Sequence, residues 1–217
     1  MTSVITPSQA RRLLTETIKG SPRIKNPSEV IAHADFIAEL VQETIDEIRE
    51  AGIKFPVNDT EMECAAVLHD IGYCFAENGY DHPIVGGEFL RRRGYPRIAK
   101  IIETHTYAAE RVFFHGYKGN HEPCEWMRMV PMFWNQVLID YASLHAGQPG
   151  ERITPVEKIN RFRGKRDETF LKMIDYAESR LQKEVDEINA LKKSNDSAIT
   201  SYGFILIGDE FRHHKNG

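Results

Sequence analysis

Along this chain apolar residues return every three or four positions in one segment after another, and that period predicts helices. Thr6-Pro7-Ser8-Gln9 supplies a capping residue, a proline at the first helical position and a glutamine three residues after the cap. The helix it opens runs to about Lys19 and stops at Gly20. Asn26-Pro27-Ser28-Glu29 repeats the signal and starts a helix ending near Gly52, with Val30, Ala34, Ile37, Val41, Ile45 and Ile48 on one stripe. Thr60-Glu61-Met62-Glu63 reads as a third capping box, for a helix that ends at Ile71-Gly72. Asp81 is placed as the cap of a fourth, closed by Gly94 in the left-handed region.

Tyr95-Pro96 opens a fifth helix, whose inward face carries Ile98, Ile101, Ile102 and His105. Residues 106 to 122 show no period and read as a long loop. Helix resumes from Pro131 to Ala146, again at Thr154-Pro155-Val156-Glu157, and finally from about Arg166 to Lys192. Phe170, Ile174, Ala177, Leu181, Val185, Ile188 and Leu191 form a nearly heptad stripe on that last helix. The stripe is read as core or as a surface for a partner helix, the second reading allowing a homo-oligomer. The one strand-like run is Gly203-Phe204-Ile205-Leu206-Ile207-Gly208. The fold class is therefore all-α, a helical bundle around one core with a long C-terminal helix and a short C-terminal extension. Residues 1–194 form the domain, and 195–217 are a tail with no role assigned.

Composition narrows the function classes. Apolar residues make up 41% and charged residues 28% of 217, an ordinary globular mixture. A formal net charge of -4 argues against non-specific nucleic-acid binding, which needs a basic surface to displace counterions. A small anionic substrate needs only a few local cations. Cys64, Cys74 and Cys124 have no CxxC spacing and read as reduced thiols. No basic-then-apolar leader and no apolar run long enough to span a membrane is visible, so the expected location is the cytoplasm.

Ionisable residues inside apolar segments carry the candidate chemistry. His33 lies at the edge of the second helix's buried stripe, and His69-Asp70 ends an otherwise apolar helical segment. His105 continues a row of isoleucines, His82 precedes Pro83, and Asp140 sits in Val137-Leu138-Ile139-Asp140-Tyr141. A lone core histidine is ordinarily satisfied by a backbone carbonyl, and a lone aspartate by a salt bridge. Several inward His and Asp residues on separate helices point instead to a metal site. Imidazole with carboxylate suits iron, manganese, zinc and related metals.

The order His33, His69-Asp70, Asp140 resembles the HD superfamily, whose motif is a histidine, a His-Asp doublet and a distal aspartate. His69-Asp70-Ile71-Gly72 looks like its HDIG variant. The stretch from His82-Pro83-Ile84-Val85-Gly86-Gly87-Glu88-Phe89-Leu90 through Gly94-Tyr95-Pro96 to His105 is similar to the segment that supplies two further histidines in HDIG-type phosphohydrolases. Gly150-Glu151-Arg152-Ile153-Thr154 also resembles that group, and the likeness covers roughly residues 27 to 165.

The resemblance implies that His33, His69, Asp70 and Asp140 bind one metal, with Asp70 bridging to a second held by His82 and His105. It implies one or two divalent transition metals: iron or manganese first, then zinc, cobalt, nickel or magnesium. The implied activity is hydrolysis of a nucleotide or other small phosphoester by a metal-activated water, with Asp70 as the catalytic carboxylate. Two departures stand out. Tyr73 follows Gly72 where the pattern often has a phosphate-binding lysine, leaving Tyr73 to contact substrate or to pack. Aligned without gaps from Gly150, Ser143 falls at the distal aspartate's place, and Asp140 lies one helical turn earlier.

Arg111 and Lys118, in the loop after His105, are candidate substrate contacts; His115 and His121 share that loop, and Arg91-Arg92-Arg93 reads as a solvated helix face. Two other readings stay open. Some superfamily members with the same ligand set are mixed-valence diiron oxygenases, and a degenerate HD module would bind a ligand or partner without catalysis.

Overall fold

The computed structural model describes residues 5–108, 110, 133–164 and 168–193. Eight α-helices lie among them, which we number in chain order: α1 Pro7–Lys19, α2 Pro27–Glu50, α3 Asp59–Leu68, α4 His82–Arg92, α5 Pro96–Ile102, α6 Phe133–His145, α7 Pro155–Arg163 and α8 Glu168–Lys193. A 3-10 turn, Ile71–Cys74, follows α3. The described residues contain no strand, only an isolated bridge between Ala146 and Arg152. No described helix is long and apolar enough to cross a membrane.

The helix signals act through particular bonds. Thr6 and Thr154 each form a complete capping box, with Gln9 and Glu157 respectively, ahead of a proline. Gly94 takes the left-handed conformation, φ 86°, and lets α4 turn directly into α5. The third capping box is displaced. Asn58, not Thr60, caps α3 by accepting the Glu61 N–H at 2.9 Å. The Glu61 carboxylate is drawn instead to Arg97, so it does not close a box. Asn26 and Asp81 hold cap positions without a capping bond, because Asn26 donates to Glu29 and Asp81 accepts from Asn78.

Two boundaries near the candidate site are shorter than the period suggests. Helix α3 ends at Leu68, so His69 and Asp70 stand at the exit into the 3-10 turn. Helix α5 ends at Ile102, and His105 projects from the turn beyond it. The expected start at Pro131, most of the loop to residue 122, the start near Arg166 and the run at 203–208 lie outside the described residues.

Helix α3 is the axis of the core. Met62 and every residue from Cys64 to Leu68 are buried, because α1, α2, α5 and α6 all pack around it. Helix α2 contributes Ile37, Val41, Ile45 and Ile48 to the same core. The α8 stripe belongs to the core too, since Phe170, Ile174, Ala177, Leu181 and Ile188 are fully buried against α2, α6 and α7. Cys64 is enclosed, and burial raises its thiol to about 11, consistent with an inert thiol.

Phe170 meets the rings of Tyr80, Tyr107 and Phe162. Phe170→Ala is expected to cost about 3–5 kcal/mol in urea denaturation. Lys172→Ala, on the exposed side of the same helix, is expected to change stability by less than about 0.5 kcal/mol.

Candidate metal centre

Four helical segments converge on one carboxylate. His33 comes from the first half of α2, His69 and Asp70 from the exit of α3, His82 from the first position of α4, and His105 from the turn after α5. Glycines set the approach of α4. A Cβ at Gly72 would lie 1.8 Å from the His82 carbonyl oxygen and 2.7 Å from the Gly86 nitrogen. At Gly86 a Cβ would meet the Gly72 backbone at 3.1 Å. Two bare backbones therefore touch, and that contact carries His82 up to Asp70.

Three of the imidazoles are oriented in the same way. Nδ1 of His69 bonds the Ala66 carbonyl at 2.7 Å, Nδ1 of His82 the Gly79 carbonyl at 2.7 Å, and Nδ1 of His105 the Ile102 carbonyl at 2.5 Å. A carbonyl only accepts, so each Nδ1 carries the proton and each Nε2 presents its lone pair inward. Asp70 divides its oxygens between two pairs. Oδ2 stands 3.3 Å from His69 Nε2 and 3.8 Å from His33 Nε2. Oδ1 stands 3.0 Å from His82 Nε2 and 3.6 Å from His105 Nε2.

Two groups of potential ligands result, His33-His69-Asp70 and Asp70-His82-His105, each with its donor atoms within 4.8 Å of one another. His82 Nε2 and His105 Nε2 are 3.1 Å apart. With both Nδ1 protons committed to carbonyls, two lone pairs face each other, and a cation relieves that repulsion. Their spacing is close to the ~3 Å spanned by two nitrogens each about 2.1 Å from one ion.

The electrostatics suit ligation. Burial pushes His33 and His105 down to about 4, so both are neutral near pH 7. Burial also opposes charge on His69, but the Asp70 carboxylate outweighs it and raises that imidazole. Burial alone would raise Asp70, yet the imidazoles around it, His69 foremost, hold it well below the usual carboxylate range. Neutral His33 and His105 beside an ionised, shared carboxylate, with the Nε2 atoms of His69 and His82 on the same carboxylate, are a donor set that fits divalent transition metals.

Asp140 is placed beside this centre and joins neither group. Its Oδ1 accepts the Thr106 N–H, and its Oδ2 faces Arg180 Nη1 at 3.2 Å. Burial and the nearby Glu184 push its carboxyl well above the usual range, against the pull of Arg180. Arg180 also bonds Glu184, Glu110 and the Thr106 carbonyl. Thr106 has φ 54°, a left-handed conformation that a threonine adopts only under constraint. The Asp140–Arg180 pair thus clamps the turn that aims His105.

Tyr73 stacks on His82, ring centroids 3.8 Å apart and 10° from parallel. It also lines a cavity of about 290 Å³ with His33, Asp70, Arg23, Glu29 and the segment Gly147-Gln148-Pro149. Arg91 of the basic run reaches Glu103, whereas Arg92 and Arg93 are exposed. Arg111, Lys118, His115 and His121 lie outside the described residues.

Arg180, which holds the His105 turn, is missing from the residues that the sequence singles out. Arg180 borders the apolar stripe of α8 with Glu184 one turn on, and a charged pair inside a packed face is the signal that could have found it.

A helical frame carrying paired His ligands on a shared aspartate defines a candidate dinuclear metal centre. The family model for the HD domain matches residues 23–159, and the chain belongs to the HD domain family. A search of curated proteins and a search of solved structures each returned no significant match.

Gly72→Ala is expected to push α4 away from the His69-Asp70 exit, lowering stability by at least about 1–3 kcal/mol in urea denaturation. His33 supplies a pH test in metal-free protein. Its folded pKa lies below its unfolded value, so its neutral burial is fully tolerated above about 6.5 and opposes folding as pH falls towards 4. His33→Gln should therefore gain stability relative to wild type between pH 7.5 and 5, read as a difference in urea midpoints.

Proposed function

We propose that this chain is a metal-dependent phosphohydrolase acting on a small phosphoester. The observation that carries the reading is the division of the Asp70 carboxylate between His33-His69 on one oxygen and His82-His105 on the other. Membership of the HD family supports it. Divalent ions bound there, iron or manganese by preference, supply a water of lowered pKa and neutralise charge on phosphoryl oxygens.

The chain's own groups do the rest. His69, His82 and His105 are fixed by backbone carbonyls, so their Nε2 atoms need no reorganisation to act as ligands. Asp70, held ionised, accepts a hydrogen bond from the attacking water at a carboxylate oxygen and orients it. Substrate enters through the cavity that opens onto His33 and Asp70, where Tyr73 forms part of the wall. Arg111 and Lys118 are proposed as further contacts to the phosphoester.

Elemental analysis of wild type is expected to give about two equivalents of iron or manganese per chain. His82→Ala and His105→Ala should each fall towards one. The loaded enzyme should hydrolyse p-nitrophenyl phosphate without dioxygen, and chelation should abolish the activity. A strict requirement for iron with dioxygen would replace this reading by the oxygenase one, and a chain that cannot be loaded would leave a binding module.

A further inference from the structure

His105 is the ligand whose aim depends on distant parts of the chain. His69 is fixed through Ala66 within α3, and His82 through Gly79 in the loop just before α4. The His105 imidazole bonds the Ile102 carbonyl, but its turn runs on into Thr106, whose φ of 54° sets the direction in which the chain leaves. A β-branched residue does not hold that conformation unaided. The Thr106 side chain gives no help, because its Oγ1 is buried without a hydrogen-bond partner among the described residues.

The backbone of Thr106 is held instead, from both sides. Its N–H donates to Asp140 Oδ1, and its carbonyl accepts from Arg180 Nη2. Arg180 Nη1 bonds the other Asp140 oxygen at 3.2 Å, which closes a ring through the turn, α6 and α8. Further bonds from Arg180 to Glu184 at 2.7 Å and to Glu110 at 2.9 Å fix the plane of the guanidinium. Only a planar fork can serve that many acceptors at once.

The support is one-sided. Among the described residues no bond of Arg180 reaches α2 or the exit of α3, which carry His33, His69 and Asp70. Asp140 joins neither group of potential ligands.

We propose that Arg180 and Asp140 are positioning residues that set metal affinity in the Asp70-His82-His105 half of the centre alone, so that the two halves load under separate control. The proposal rests on the reading that each half holds a divalent ion. It gives Asp140 a different part from the one that the HD resemblance implies: support for a ligand of the second ion, in place of ligation of the first.

The test is binding of manganese(II) to the metal-free full chain by equilibrium dialysis, with melting temperature measured alongside. Wild type is expected to take up about two equivalents. Arg180→Lys keeps the charge and loses the fork. Asp140→Asn keeps an oxygen for the Thr106 N–H and loses the charge that faces Arg180; it carries the same comparison if Arg180→Lys does not fold. Each should weaken the second equivalent about 10- to 100-fold, the usual effect of removing a support of a metal ligand, and leave the first unchanged. In His105→Ala protein neither substitution should lower the remaining affinity, because the group that they aim is gone. Thr106→Gly adopts a positive φ without strain, so adding it to Arg180→Lys should recover most of the loss. Equal weakening of both equivalents overturns the proposal, as does a further loss in the His105→Ala background, which for Asp140→Asn would make Asp140 a ligand of the first ion. Failure of Thr106→Gly to recover binding overturns it too. If both variants bind two equivalents as wild type does, the positioning role fails and the dinuclear reading stands. If wild type binds fewer than two, both fail.

Discussion

Asp70 has two oxygen atoms and four imidazoles to satisfy, and the surrounding architecture meets that demand. The carboxylate can stay ionised inside the protein only because histidines from three other segments, besides its own neighbour His69, are brought to it. Burial works against every charge in the group, and at Asp70 the surrounding imidazoles outweigh it. Rigid orientation is then essential. Backbone carbonyls three residues earlier provide it at His69, His82 and His105, using donors and acceptors left over where helices begin and end.

That explains why these three imidazoles sit at helix termini, whereas His33 stands within α2. An interior helical residue has its backbone carbonyl committed to the ladder, whereas the carbonyls of Ala66, Gly79 and Ile102 lie at a last turn or in a loop. The bare backbones of Gly72 and Gly86 complete the arrangement by letting α4 sit closer than any side chain would allow. The hydrophobic core contributes to the same end, because α3, buried from Cys64 to Leu68, anchors the His69-Asp70 exit.

Much of this was legible in the residues. Capping boxes at Thr6 and Thr154, the stripe on α2 and the heptad-like stripe on α8 all report local rules, and local rules are what a single sequence carries. His33, His69, Asp70 and His105 stood out as ionisable groups beside or inside apolar runs, whereas His82 was singled out by the resemblance to the HD superfamily. Competition between side chains was not legible. Glu61 forms a salt bridge with Arg97 and gives up its capping bond, so the cap moves to Asn58. Asp140 pairs with Arg180, a partner 40 residues away that no local pattern designates.

The clamp on Thr106 ties the centre to the order in which the chain is made. His33 and His69-Asp70 belong to the N-terminal third, and their helices can pack on each other early. The turn that aims His105 is pinned by Arg180, 74 residues further on. During synthesis the His33 side can assemble on the nascent chain, while the His105 side waits for α8 to emerge and dock. Completion of the centre therefore reports that the whole helical body has closed.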